Sequence, residues 1–220
     1  ARDKAGNTGE PASLTFLLDQ STPLSGIISS DETWAVADSP FVITGDVLVG
    51  TGATLIIEPG VTVKFQDGNA LQVQGSLIAK GTSSNQITFT SSNSSPSAGD
   101  WDNIQFFDSS IDADFGGFGG ATSTSANYVS GSIMEYVVVE YGGTSSNGAI
   151  VVDTSGPFIS NAIIRNNSGA GIYADKTTES FIVTNSTSTY NGTGIHFEWG
   201  SSIADMTLTG NVFTHNTGTG

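Results

Sequence analysis

The chain of 220 residues has no cysteine, so it can contain neither a disulfide bond nor a thiolate metal site. Basic residues are also scarce, with 6 Lys and Arg against 21 Asp and Glu. The net charge of −15 repels phosphate groups, so we expect no nucleic-acid partner. No apolar run reaches the roughly 18 residues that a membrane-spanning helix needs, so we expect no membrane insertion.

Helical periodicity is absent as well, and short alternating runs separated by Gly and Asn take its place. In the last third, Asn-Gly-Ala-Ile at residues 147–150 returns as Ser-Gly-Ala-Gly-Ile at 168–172 and as Asn-Gly-Thr-Gly-Ile at 191–195. The closing isoleucines are 22 and 23 residues apart. A period in the low twenties predicts one solenoid coil per repeat, with three short strands in each of about seven coils.

Two long segments carry a family resemblance. GDVLVGTGATLIIEPGVTVKF at residues 45–65 resembles the opening coils of right-handed parallel β-helix proteins from bacterial surfaces. YVVVEYGG at residues 136–143 and ISNAIIRNNSGAGIYAD at 159–175 resemble the repeats of pectate-lyase-like and copper-centre-assembly-like β-helices. The resemblance implies an all-β fold, a single-stranded right-handed parallel β-helix.

The sequence divides into two unequal parts. Residues 24–220 are predicted to form the β-helix, with an inserted Gly-, Ser- and Asp-rich loop at 108–131. Residues 1–23 form an extended segment that resembles the last hairpin of bacterial immunoglobulin-like repeats, or else serves as an assembly strand. Because the chain starts without a signal-like segment and stops within a coil, we expect a mature form or a fragment of a longer protein.

An acidic residue follows each of the three repeat isoleucines by three positions, at Asp153, Asp175 and Glu198. Strand alternation turns these side chains outward, and stacking places neighbouring coils about 4.8 Å apart. Carboxylates that close repel one another unless a cation or a shared proton lies between them. The row therefore consists either of ordinary surface acids near strand ends, or of the ligands of a Ca²⁺ site, or of a glycosidase-like acid pair.

Two further side chains of the same strands, Tyr173 and His196, are predicted to lie beside the acids. Together with Asp175 and Glu198 they are candidate catalytic residues, able to supply the acid and the base of a uronate elimination. The few basic residues form no cluster that would neutralise a uronate, and the polygalacturonase pattern with Gly-His-Gly is absent. The sequence thus favours a role other than catalysis.

Four aromatic residues form a third candidate group. Trp101, Phe115, Phe118 and Trp199 are predicted to stack on sugar rings. The alternative is that the loop carrying some of them packs down over the β-helix.

Asparagine recurs at coil spacing in two series. One contains Asn161, Asn185 and Asn211, and the other contains residues 167, 191 and 216. Because asparagine tolerates left-handed backbone and bonds to a stacked equivalent, both series predict structural ladders at coil corners.

These observations predict a structural or adhesive module of a secreted or cell-surface protein, which either associates with itself head to tail into filaments or is a monomeric fragment of a longer protein. A polysaccharide-binding or polysaccharide-degrading β-helix is the alternative. Calcium is the one cofactor that the residue pattern suggests.

Overall fold

The computed structural model describes residues 22–117, 123–144, 147–175, 181–198 and 206–218. These residues form short β-strands and one 3-10 helix, Val36–Asp38. The strands are β1 (Thr22–Ile28), β2 (Glu32–Trp34), β3 (Phe41–Val49), β4 (Thr54–Ile57), β5 (Thr62–Phe65), β6 (Leu71–Val73), β7 (Ser76–Lys80), β8 (Ile87–Ser91), β9 (Ile104–Phe106), β10 (Ile133–Glu135), β11 (Val137–Glu140), β12 (Gly148–Asp153), β13 (Phe158–Ser160), β14 (Ile163–Arg165), β15 (Ala170–Asp175), β16 (Ile182–Thr184), β17 (Thr187–Thr189), β18 (Thr193–Glu198), β19 (Thr207–Thr209) and β20 (Val212–Thr214). Within the described ranges, no helix has the length and apolar character needed to cross a membrane.

Successive strands turn from one face of a solenoid to the next, and each pairs in parallel with its counterpart one coil away. Sheet A contains β2, β4, β7, β10, β13, β16 and β19. Sheet B contains β5, β8, β11, β14, β17 and β20, and sheet C contains β6, β9, β12, β15 and β18. The long β3 joins sheets B and C, because its first half pairs with β5 and its second half with β6. The predicted right-handed parallel β-helix of about seven coils is confirmed.

The core lies inside the coils, where inward side chains of all three sheets meet. Strands such as β5 and β6 alternate buried and partly exposed positions, as the period-2 pattern predicts. Two stacked aromatic pairs belong to this core. Trp34 stacks on Phe41, with ring centroids 5.0 Å apart, and Phe65 stacks on Trp101, with ring centroids 4.1 Å apart. The parallel stacking extends the apolar core continuously from coil to coil.

Left-handed residues turn the chain at two corners. From sheet A to sheet B the turn residues are Tyr136, Asn161, Asn185 and Gly210, with φ between 48° and 70°. From sheet B to sheet C they are Tyr141, Asn166, Tyr190 and His215, with φ between 54° and 64°. A residue with positive φ interrupts the extended backbone and changes the direction of the chain. One such residue per coil therefore separates the two strands at each of these corners.

The asparagine series at residues 167, 191 and 216 forms the predicted ladder just after the second corner. Asn167 and Asn191 are each 2% exposed. The Asn167 backbone N–H and side-chain Nδ2 both donate to Asn191 Oδ1, at 3.0 and 2.9 Å. The Asn191 backbone N–H donates in turn to Asn216 Oδ1 at 2.9 Å. The ladder therefore satisfies polar groups that the coil turn buries.

The second asparagine series is not a single ladder. Asn161 and Asn185 are left-handed corner residues, and Gly210, not Asn211, is their counterpart in the next coil. Asn211 instead accepts the Ser186 backbone N–H at 2.9 Å, one position further along. The spacing of 26 residues between Asn185 and Asn211 contains one residue more than the coil register allows.

The segment between β9 and β10, residues 107–132, packs against sheet A where the structure describes it. Phe115 meets the Phe158 ring edge-on, with centroids 5.1 Å apart. Asp112 Oδ1 accepts the Gly156 backbone N–H at 2.6 Å. Beneath the segment runs a column of apolar residues on paired strands: Ile78, Ile133, Phe158 and Ile182. The insertion thus covers an apolar stripe outside the main core.

Candidate functional site

The three repeat isoleucines set the register of the site. Ile150, Ile172 and Ile195 pair directly across β12, β15 and β18. The first two are fully buried, and Ile195 is partly buried against the same core. The three isoleucines thus stack in one register, as their spacing predicts, and this register fixes which neighbouring side chains leave the core.

The acidic residues form a row in the same register. Asp153 pairs with Asp175, and Asp175 pairs with Glu198. The first two are half-buried and Glu198 is exposed. Among the described residues, no group of three or more Asp, Glu or His side chains is gathered closely enough to hold a metal ion. Calcium binding by this row thus stays a prediction.

A stacked ring pair lies next to the acids. Tyr173 and His196 are paired residues of β15 and β18, and their rings stack with centroids 5.2 Å apart and planes 8° from parallel. The Tyr173 hydroxyl donates a hydrogen bond to Glu198 Oε2. Val151, which alternation also turns outward, is buried, because its short side chain lies between the longer Gln105 and Tyr173 of the flanking strands.

The acids change the acid–base behaviour of the phenol. The hydrogen bond to Glu198 raises the pKa of Tyr173 to about 12, and burial and the charges of Glu198 and Asp175 add to the rise. All of these interactions favour the protonated phenol: burial disfavours the charged phenolate, and the hydrogen bond and the two charges act because the surroundings are negative. Tyr173 is therefore a neutral hydrogen-bond donor at physiological pH.

An open groove of about 430 Å³ runs over these side chains. Its lining combines Tyr173, His196 and Glu198 with the first residues of β15 and β18, Ala170 and Thr193. The rest of the lining consists of residues between strands: Asn147, Ser168, Gly169, Gly192, Thr217 and Gly218. The sequence pattern did not indicate these residues as site residues, although the repeated Asn-Gly and Ser-Gly turns mark the positions of several of them.

Glycine at the turns lets the coils stack closely beneath the groove. A Cβ on Gly169 would lie 1.9 Å from the Asn147 backbone oxygen, and one on Gly192 would lie 2.6 Å from the Ser168 backbone oxygen. Neither backbone atom can move without breaking the coil pairing. Glycine is thus required at both turns, and the turns carry no side chain that would block the groove.

The loop at residues 92–100 approaches one side of the groove. A Cβ on Gly99 would be 3.1 Å from the Cβ of the groove residue Ser168. Asp100 anchors the loop, since its Oδ2 accepts Ser91 Oγ at 2.6 Å and the Ser97 backbone N–H at 3.0 Å. Burial alone would raise the pKa of Asp100, but these hydrogen bonds and one from Asn93 outweigh it and hold the pKa below its usual value.

We expect Asp100→Asn to lower the free energy of unfolding at pH 7 by about 1 kcal/mol, because the anchoring bonds to a partly exposed carboxylate are weakened. A lowered folded-state pKa stabilises the fold above the unfolded-state pKa, and this contribution is lost as the pH falls through the folded-state value. The difference between wild type and variant should therefore shrink in acid. Urea titrations at several pH values measure it, and a difference independent of pH would contradict the assignment.

Among the described residues, the basic side chains lie on other faces. Arg165 pairs with Glu140 on sheet B at 2.8 Å, and Lys80 lies 3.9 Å from Glu135 on sheet A. Lys64 is also a residue of sheet B. Among the described residues that line the groove there is no Lys or Arg. The groove is therefore acidic and aromatic.

The structure overturns two of the four predicted aromatic binding residues. Trp101 is fully buried, stacks on Phe65 and donates its Nε1–H to the Glu140 backbone oxygen at 2.9 Å. Phe115 is also buried, because the inserted segment packs it against sheet A. Neither ring has a face open to a sugar. Phe118 and Trp199 lie outside the described residues.

Comparisons with known proteins agree with this geometry. Protein bark beetle of Drosophila melanogaster is 35% identical over 83 residues, which is 38% of this chain and 3% of that protein. The chain thus spans a very small part of the curated relative. No solved structure matches the chain. The model of the pectate-lyase-like β-helix domain matches residues 26–156, more than half of the 220 residues. The chain belongs to the pectate-lyase-like β-helix family.

Proposed function

We propose that this β-helix is a rigid structural and adhesive module of a secreted or cell-surface protein, and that it attaches to a polysaccharide through the groove on sheet C. The observation that carries the proposal is the Tyr173–His196 ring pair inside an open groove. The apolar atoms of the two rings that line the groove pack on the C–H groups of sugar rings, and adjacent hydroxyl and carboxylate groups bond to sugar hydroxyls. The stacked coils supply the rigid support.

The polar lining supports a hydroxyl-rich ligand. Ser168, Thr193 and Thr217 contribute hydroxyl groups, Asn147 contributes an amide, and Glu198 contributes a carboxylate. A few polar groups around an apolar ring face are typical of ligand sites that fix the orientation of the ligand. A groove open at its sides also admits an internal stretch of a long chain, which an adhesive module needs.

Binding without cleavage fits the acid–base groups of the groove. The Tyr173 hydroxyl is held by Glu198, and its pKa of about 12 keeps it protonated. A uronate elimination needs cationic groups that stabilise the developing charge next to the carboxylate. The described lining contains none. Head-to-tail self-association of the module is a separate proposal that does not depend on the groove.

Replacing Tyr173 or His196 with alanine should weaken binding to an oligosaccharide ligand about tenfold or more, because stacking of aromatic side chains on a ligand contributes about 1–3 kcal/mol. Chitooligosaccharides and oligogalacturonates serve as probes, with affinity measured by isothermal titration calorimetry.

A second stacked pair supplies a matched control. Tyr190 stacks on His215 with centroids 4.9 Å apart, and Tyr190 is 59% exposed at the corner between sheets B and C. Neither Tyr190 nor His215 lines the groove. Tyr190→Ala should leave the affinity unchanged. Equal losses in Tyr173→Ala and Tyr190→Ala would contradict a specific site, and formation of unsaturated product would contradict a purely adhesive role.

A further inference from the structure

We infer that the groove on sheet C selects saccharides that carry protonated amino groups, such as de-N-acetylated amino sugars, over neutral and uronate saccharides. The inference rests on the proposed saccharide-binding function and adds the charge class of the ligand. It depends on three features of the described residues: the carboxylates, the aromatic pair and the composition of the lining.

Two neighbouring carboxylates are the first feature. Glu198 lies in the groove, and Asp175 is its direct neighbour on β15. A carboxylate has about four acceptor positions, and the Tyr173 hydroxyl occupies one position on Glu198. Acceptor positions therefore remain for a ligand. An ammonium group offers three donors and a positive charge, so it satisfies such a carboxylate better than a neutral hydroxyl does.

The ring pair is the second feature. Tyr173 is neutral, and its hydroxyl points to Glu198, so ring and carboxylate lie side by side. A glucosamine unit presents an apolar ring face and an amino group on the same residue. Because the two rings stack on each other, such a unit meets the pair from the groove side, where its C–H groups contact the rings while its ammonium group contacts the carboxylate.

The surrounding charge is the third feature. The negative groups that hold the Tyr173 proton act in the same direction on a cationic ligand. The described lining contains no Lys or Arg to receive a uronate carboxylate. A net charge of −15 for the whole chain also repels polyanions at a distance. A uronate chain would therefore leave its charges unpaired beside the carboxylates.

The experiment compares three oligosaccharides of equal length: glucosamine, N-acetylglucosamine and galacturonate oligomers. Calorimetry at low salt should give about tenfold tighter binding of the glucosamine oligomer than of the N-acetylated one, since a charge-assisted bond contributes more than a neutral one. The preference should fall at about 0.5 M salt, where the Debye length is only a few ångströms. Galacturonate should bind most weakly.

Variants separate the groove from general attraction to an acidic protein. Glu198→Gln should lower the affinity for the glucosamine oligomer about tenfold and change the affinity for the N-acetylated oligomer little. Asp108→Asn removes the same charge from an exposed residue that does not line the groove, and should have no such effect. Equal effects of the two variants, or equal or tighter binding of N-acetylated or galacturonate oligomers, would overturn the inference and leave saccharide binding intact. Failure to bind any of the three would contradict saccharide binding as well.

Discussion

Replacing Ile172 with alanine should lower the free energy of unfolding by about 2–5 kcal/mol, as large-to-small substitutions in packed cores do. Ile172 is the middle member of the isoleucine row and is 1% exposed. Coils on both sides hold their strands in place through parallel pairing, so the structure cannot collapse to fill the cavity. Equilibrium unfolding in guanidinium chloride, followed by circular dichroism, measures the loss.

Ile195→Ala is the matched control for this substitution. It removes the same atoms from the same row, but Ile195 is only partly buried. The loss should therefore be clearly smaller, because less apolar surface leaves water on folding. Equal losses at both positions would contradict the burial gradient along the row. A repeat structure can also unfold coil by coil, so each variant needs a check that its transition stays cooperative.

The register of the β-helix could be predicted from the sequence because it depends on spacing alone. The isoleucines at coil intervals placed Tyr173, His196 and Glu198 on neighbouring strands, and the structure pairs them so. The same reasoning failed for Asn211, which lies one position beyond the corner residue Gly210 and is the counterpart of Ser186. Recurrence of one residue type at about the coil spacing therefore does not by itself place the residues at one register position.

The shape of the site could not be predicted from spacing. Trp101 and Phe115 are aromatic residues near loops, and the sequence does not reveal whether a loop folds inward or stands free. The groove depends on turns such as Gly169, where a neighbouring carbonyl leaves no room for a Cβ. Such contacts join residues one coil apart. The sequence shows a Gly-rich turn at these positions but does not indicate which backbone atoms of the next coil lie against it.

Asn191→Ala should lower the free energy of unfolding by about 3–5 kcal/mol, because two buried backbone groups lose their partners. Asn191 is 2% exposed; its Oδ1 accepts the Asn167 backbone N–H at 3.0 Å, and its Nδ2 donates to the Ile164 backbone oxygen at 3.0 Å. Alanine satisfies neither group, and the cavity is too enclosed for bulk water to replace the amide. Chemical denaturation measures the loss.

Asn191→Asp tests the same ladder by its pH dependence. The carboxylate still accepts from Asn167, but it cannot donate to the Ile164 oxygen, and burial disfavours its charge. Its folded-state pKa should thus exceed the usual value of about 4 for aspartate. A raised pKa stabilises the fold below the unfolded-state value, and that contribution is lost as the pH rises through the folded-state value. The variant should therefore approach wild-type stability in acid and fall behind it near neutral pH.

Asn185→Gly, at an exposed corner with φ of 51°, should stay within about 0.5 kcal/mol of wild type at every pH. A loss at Asn185 as large as that at Asn191 would show that corner geometry, and not the buried amide ladder, holds the coils together.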